Sequence, residues 1–390
     1  MRPPVPENAE LSLLRRRCSK KWSRYPADVL PVWLAEMDFP LAEPIARRLV
    51  ERIELADLGY PALAADHPLP SVFAEWAGRE WNWPVDPADV AIIPDVMRGV
   101  EMCLKAFSAP GDGVIVFPPI YPPFLESIAD YDRVPVHCPV TPDGEGWALD
   151  LDAVRSGLAA GARLILLCSP HNPTGHVPPA AELRALAGLA DRYDAVIVSD
   201  EVHAPLVYDG FTHTPIATLG DEVAARTVTL FSASKAWNLP GLRCALAVAG
   251  PRLRAVLNRL PRRFANGTGI LGMEAAVAAF QEGSPWLTRI RARLDANRGA
   301  VARLLAEQVP QIRYRVPDAG YLAWLDCTEL GWTNPAERFL AEGRVALNSG
   351  LDFGPGGEGH ARLNFATPEP ILREAVRRIA AAVADPEGVN

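Results

Sequence analysis

The chain has 390 residues, 49 % of them hydrophobic, with a formal net charge of −8; that length predicts one large and one small domain around a sizeable core. The charge and the lack of a dense basic patch argue against a nucleic-acid binder, and no 18-residue apolar run appears that could span a membrane. Met1-Arg2-Pro3-Pro4 has no apolar signal-peptide core, and Cys18, Cys103, Cys138, Cys168, Cys244 and Cys327 stand singly, which suits reduced thiols in a cytoplasmic protein.

Residues 1–45 form an irregular arm by sequence, in which Arg15-Arg16-Arg17 and Lys20-Lys21 suggest a solvated charged face. Leu30 to Pro40 has too many prolines and aromatics for a helix and suits an extended piece packed on something else. Ile45, Leu49 and Ile53 give one apolar face to a helix over Pro44 to Leu55. Helix–strand alternation follows. Leu69 to Trp81 is amphipathic, Val90 to Pro94 is a short buried strand, and Asp95 to Gly99 opens a helix through Phe107. Further strands are predicted at Val114–Phe117, Arg163–Cys168, Ala195–Ser199, Thr227–Phe231 and Ala245–Val248, with a helix at Ala180–Arg192. The pattern predicts an α/β fold with a largely parallel sheet between helices. After Gly283 a long helix (about 286–308) leads to a smaller unit with strands at Gly320–Leu325 and Arg362–Phe365. The expected division is 1–45 as an arm joining the small domain, 46–283 as the large domain and 284–390 as a small α/β C-terminal domain.

Ligand groups in such sheets collect beyond the carboxyl ends of strands. Three motifs lie there: Ser169-Pro170-His171-Asn172-Pro173-Thr174-Gly175, Asp200-Glu201-Val202-His203 and Ser232-Ala233-Ser234-Lys235. Only four of the 39 basic residues are lysines, and Lys235 follows an apolar strand. An amine can form a Schiff base with an aldehyde, and a guanidinium cannot. Ser232, Ser234 and Arg243 supply the hydroxyls and cation that a phosphate needs, and the helix opening at Val96-Met97 can add backbone N–H groups. Together they point to pyridoxal 5'-phosphate. Asp200, at a strand end, suits a partner for a pyridinium nitrogen, with a structural ion pair to an arginine as the alternative. Asn172 and His203 can approach the ring's 3' oxygen, although His203 could equally be a satisfied strand-end histidine. Tyr121 offers a stacking face. His171 and His176 flank a Pro-Thr-Gly turn and are not expected to share a metal.

These residues, with Gly59-Tyr60, Pro119-x-Tyr121-x-Pro123-Phe124 and the closing Ala361-Arg362-Leu363-Asn364-Phe365-Ala366, resemble a fold-type I (aspartate aminotransferase-like) pyridoxal-phosphate enzyme. Lys21 to Phe39, Pro170-His171-Asn172-Pro173 and Asp200 to His203 resemble the MalY/PatB group of cystathionine β-lyases within the class I/II aminotransferases. The resemblance implies that Lys235 carries the cofactor and moves the Cα proton and that Tyr121 stacks; in an elimination either Tyr121 or Lys235 can protonate the leaving thiolate. It also implies that Arg362 forks the substrate's α-carboxylate and that Ala35-Glu36 closes over the substrate. Tyr60 would reach the phosphate of a neighbouring subunit, implying a homodimer with shared active sites. Glu36 and Thr174 depart from the group's usual residues. The implied reaction is β-elimination from cystathionine or another cysteine S-conjugate. Transamination of an α-amino acid, other chemistry on a cysteine S-conjugate in specialised metabolism and a non-enzymatic cofactor sensor are the alternatives.

Overall fold

Seven short strands build the larger sheet: β1 (Val90–Ile93), β2 (Gly113–Val116), β3 (Val134–His137), β4 (Leu164–Cys168), β5 (Val196–Asp200), β6 (Thr227–Phe231) and β7 (Ala245–Ala249). The structure is a computed structural model that describes residues 10–62, 66–144, 146–261, 264 and 266–384. The strand order is β1-β7-β6-β5-β4-β2-β3. Strand β7 runs antiparallel to β1 and β6, and the other pairings are parallel. Every residue of β4, β6 and β7 is buried, which is why these segments are unbroken apolar runs instead of alternating ones.

The period of two appears in what each side chain meets. Val114, Val116, Leu164 and Leu166 pack with Val100 and Leu104 of helix Val96–Phe107. Ile115, Phe117, Ile165 and Leu167 face the other way, against Val154, Leu183 and Leu186 of helices Leu151–Ala159 and Ala180–Arg192. Helices thus cover both faces, leaving the strand ends for a ligand. Parallel register sets Cys168 opposite Asp200 and Asp200 opposite Leu230, so the three motif loops leave one edge of the sheet together.

The second sheet centres on β8 (Leu322–Asp326) and β9 (His360–Asn364), which are antiparallel and flanked by Arg313–Tyr314 and Asn348–Ser349. Helices Ser284–Gln308 and Glu369–Ala384 pack together beside it. The arm's Leu30–Pro31 pairs in parallel with Val345–Ala346, so the extended segment joins this second unit.

Two sequence expectations need correction, and one strand escapes the sequence. Lys21 is fully buried, where its ammonium pairs with Asp38 at 2.7 Å and donates to the Glu36 carbonyl at 3.0 Å. Lys21 therefore belongs to the interior and not to a solvated face. In helix Glu43–Glu54, Ile45 is buried but Ile53 is 56 % exposed, so the predicted apolar face is only partly covered. Strand β3 had no sequence signal, because this edge strand has no fully buried residue and includes a proline. Residues 1–9 of the arm and 385–390 of the C-terminal unit lie outside the described residues.

Candidate active site

The three loops enclose a cavity of about 290 Å³ lined by Asn172, Asp200, His203, Ser232, Ser234 and Lys235. Helix Val96–Phe107 contributes Val96 and Met97, the turn after β2 brings Tyr121, and Arg243 also borders it. From the second unit come Arg362 on β9 and, from the arm, Ala35. Residues more than 300 positions apart thus share one space, as the two-sheet architecture requires.

Lys235 Nζ donates to the Ala35 carbonyl at 3.2 Å. Burial and the nearby Arg362 cation lower its pKa to about 8, against the pull of Asp200 and Glu36. An amine so tuned is a competent base near neutral pH. Asp200 accepts the Val202 N–H at 3.1 Å, and burial raises its pKa to about 7 despite that bond and the Lys235 charge. No arginine pairs with Asp200 among the described residues, so the structural ion-pair alternative has no support. Its carboxylate faces the cavity in want of a cation. His203 is buried with Nδ1 unpartnered, and burial, then Lys235 and Arg362, lower its pKa to about 3. The ring is therefore neutral, and its unpartnered nitrogen contradicts the picture of a satisfied strand-end histidine.

Arg362 is 3 % exposed, and no carboxylate pairs with it among the described residues. Its guanidinium donates to Asn172 Oδ1 at 2.9 Å, Asn348 Oδ1 at 2.7 Å and the Trp33 carbonyl at 3.4 Å, while Nε lacks a partner. Its Cζ lies 4.8 Å from the Phe353 ring centroid. A buried cation held only by neutral acceptors is a preformed seat for an anion. Tyr121 caps helix Pro122–Asp130 and sets its ring edgewise on Phe124, 5.8 Å between centroids. Burial raises its pKa, keeping the phenol protonated.

At the far wall, helix Val96–Phe107 presents the first-turn N–H groups of Val96 and Met97, which have no acceptor within the helix. The N-cap Asp95 accepts the Arg98 N–H at 2.8 Å and pairs with Arg243 through its other oxygen. Ser232 Oγ donates to the Cys244 carbonyl at 2.6 Å and accepts the Ser234 N–H at 3.0 Å. Ser232 thus shapes the loop, while Ser234 lines the same wall.

Glu36 does not line the cavity. Its carboxylate accepts from Ser19 Oγ at 2.6 Å, and its carbonyl is held by Lys21 and Asn364. Tyr60 is fully exposed, away from the cavity of its own chain. The Thr174 hydroxyl donates to His171 Nδ1 at 2.8 Å, and His171 Nε2–H donates to the Phe117 carbonyl at 2.9 Å. Sequence reading missed several supports. Tyr321 donates to the Ala35 carbonyl at 3.1 Å, Asn364 holds the Leu34 carbonyl at 2.6 Å, Asn238 exchanges two bonds with Met37, and Asn348 holds Arg362. Asn364 lies within the closing Ala361–Ala366 motif and Asn238 three residues beyond Lys235, whereas Asn348 sits in a two-residue strand with no periodicity to mark it.

This fold, with a lysine, a carboxylate and a phosphate-sized cradle at the strand ends, defines a class. The chain belongs to the family of class I and II aminotransferases, whose model matches residues 56–379. Among its relatives is a Mycobacterium leprae protein described as a candidate cystathionine β-lyase, 40 % identical over 97 % of this chain and 98 % of that one. Cystathionine β-lyase PatB of Bacillus subtilis is 33 % identical over 91 % of this chain and 93 % of its own. Among solved structures, a Corynebacterium diphtheriae protein described as a candidate pyridoxal-phosphate-dependent β-cystathionase superposes with a TM-score of 0.91. It is 34 % identical, covering 97 % of this chain and 99 % of that one.

Proposed function

We propose that this chain is a pyridoxal-phosphate-dependent carbon–sulfur lyase, converting cystathionine or another S-substituted cysteine and water to a thiol, pyruvate and ammonia. One observation carries the reading: the Lys235 amine shares a cavity with a buried Arg362 guanidinium that has no carboxylate of its own. The relatives named for cystathionine β-lyase activity align over nearly the whole chain and support it.

The residues present fit the cofactor, because the cavity offers the neutral His203 ring, a cation-seeking Asp200 and first-turn N–H groups free within their helix. Val96, Met97, Ser234 and Arg243 would hold the phosphate, with Ser232 fixing the loop behind them. Asp200 would pair with the ring nitrogen, Asn172 and His203 would meet the 3' oxygen, and Tyr121 would stack on the ring. When bound, pyridoxal phosphate supplies an aldehyde for amines and an electron-withdrawing ring beside the substrate's Cα.

Arg362 orients the amino acid by its α-carboxylate, in the bidentate manner that guanidinium geometry favours. The Lys235 amine, aimed by the Ala35 carbonyl, takes the Cα proton as a general base. The Cβ–S bond then breaks with its electron pair leaving on sulfur. The protonated phenol of Tyr121 stands ready to give that sulfur a proton. Leu34, Ala35 and Tyr321 close the near side and limit water.

The supporting architecture is part of the same proposal. The arm (1–45), the large domain (46–283) and the small domain (284–390) meet at the cavity. A second copy covers Tyr60 together with the exposed Val50, Ile53, Leu55 and Leu58, giving a homodimer. Free thiols throughout and no helix among the described residues long and apolar enough to cross a membrane favour the cytoplasm.

Incubation of holoenzyme with cystathionine should release pyruvate and thiol in equal amounts. Turnover of an added keto acid, with the substrate's sulfur still attached, would instead assign the site to transamination.

A further inference from the structure

A second cavity, of about 500 Å³, lies between the hairpin Val140–Leu149 of the first unit and the face of β8 and β9 in the second. No residue lines both this cavity and the lysine site. Phe353 separates them, with the Arg362 guanidinium on one side and the Trp324 ring, 5.2 Å between centroids, on the other. The volume falls within the usual range for small-molecule sites.

Its walls have a definite chemistry. Trp324 and His360 stack with ring centroids 5.1 Å apart and planes 12° from parallel, forming a flat aromatic wall. Trp147 enters from the hairpin, with the Arg315 guanidinium 5.5 Å from its ring centroid. Pro118, Pro119, Pro139 and Pro142 make further apolar walls, and proline's fixed φ keeps them rigid. Flat, preformed aromatic surfaces favour a planar π-system.

The charges favour an acid. Among the described residues, Arg313 and Arg315 line the cavity with one carboxylate, that of Asp326. Asp326 already accepts the Thr328 N–H at 3.0 Å and its hydroxyl at 2.6 Å, and stands 4.0 Å from both Arg313 and His360. Among the described residues Arg315 donates to one backbone carbonyl, that of Gly144 at 2.8 Å, and its remaining N–H groups suit an anion. We propose that this inter-unit cavity is a second small-molecule site that takes a planar aromatic carboxylate. The acid's ring lies between Trp147 and the Trp324–His360 pair, and its carboxylate meets Arg315. The assignment is independent of which reaction Lys235 serves.

The test is calorimetric titration of holoenzyme with indole-3-acetate, 3-methylindole and indole-3-ethylamine. Indole-3-acetate should bind once per chain, at least about tenfold tighter than the other two. Arg315→Gln should remove the preference for the acid, and Trp147→Ala should weaken binding by about tenfold or more. Both variants should retain the cofactor's absorbance. Arg315→Gln, on a partly exposed side chain, decides the matter if Trp147→Ala does not fold. Failure to bind at millimolar acid, or equal affinity for the amine, overturns the assignment. So does binding that survives both substitutions but is lost in Arg362→Gln, because the acid would then occupy the substrate's carboxylate seat.

Discussion

The guanidinium of Arg362 donates to Oδ1 of Asn172 at 2.9 Å, joining a strand of the smaller sheet to the loop that follows β4 of the larger one. With Asn348 on its own sheet and the Trp33 carbonyl on the arm, all three parts of the chain grip one cation by neutral atoms. Burial lowers the Arg362 pKa only to about 10, so the group stays charged. The fork is aligned before an anion arrives, and no competing carboxylate need be displaced.

Arg362→Gln should therefore raise KM for amino-acid substrates far more than it lowers kcat. Losing one partner of a buried charge pair costs about 2–5 kcal/mol, or roughly 30- to 4,000-fold in affinity. Steady-state kinetics check this. A KM unchanged by the substitution would remove Arg362 from carboxylate recognition.

Lys235→Arg keeps a positive charge but removes both the Schiff-base amine and the base. Turnover should fall by at least about 10²–10⁴-fold, the usual worth of a positioned proton acceptor. Borohydride treatment followed by peptide mass analysis should find the cofactor's mass on Lys235 in the native protein and not in the variant. An adduct at another lysine would reassign the base.

Much of this arrangement is legible in the sequence because its causes are local. Buried strands announce themselves as apolar runs, and β4, β5 and β6 end where the Asn172, Asp200 and Lys235 motifs begin. Parallel order then brings those ends together. What escapes is set by tertiary partners. Lys21 belongs to a basic cluster like any solvated one, and only Asp38, reached by folding of the arm, makes it internal. Asn348 matters solely because β9 runs beside it. Arg243 was assigned to a phosphate on motif position, and the fold adds Asp95 as a second claimant.

Asp200→Asn tests the burial cost directly. Burial raises the folded pKa of Asp200 to about 7, well above its unfolded value. The folded carboxyl therefore holds a proton the unfolded chain has lost, and its contribution to stability falls as pH rises from about 4 to 7. The cofactor-free variant should melt above wild type at pH 8, by a margin that shrinks towards pH 5. The same variant with cofactor should lose most of its turnover. A pH-independent difference in melting would mean that Asp200 is already ionised in the folded apoprotein.

Lys21 and Asp38 form a buried pair behind the Ala35-Glu36 segment, with Trp22 Nε1 on the second carboxylate oxygen at 2.8 Å and Arg17 Nη1 3.8 Å from it. Lys21→Met leaves that buried carboxylate with only the more distant, partly exposed Arg17 as a cation, at a cost of up to about 3–5 kcal/mol. It also leaves the Glu36 carbonyl, next to the Ala35 carbonyl that aims Lys235, to Asn364 alone. Denaturant unfolding should show the loss, and adding Asp38→Asn should recover part of it. If the double variant is less stable than Lys21→Met alone, the pair is not what the single change disrupts.

His176 ties the two units together from the other side of the site. Nε2 reaches Glu182 Oε2 at 3.1 Å in the first unit, and Nδ1 stands 3.6 Å from Asp318 Oδ2 on the segment entering the second. Burial alone would lower its pKa, but the bonds to Asp318 and Glu182 outweigh it and hold the value above the usual histidine range. A raised folded pKa stabilises fully below the unfolded value, near 6.5, and the gain fades as pH climbs through the folded one. Asp318 also accepts the Val177 N–H at 3.1 Å and Glu182 the Leu149 N–H at 2.7 Å, so neither carboxylate is stranded when the imidazole loses its proton. His176→Gln should accordingly lower the melting temperature most near pH 6 and least near pH 8, by roughly 1–2 °C per kcal/mol for a chain of this size. A gap that widens with pH would show that the neutral ring, not the imidazolium, carries the contact.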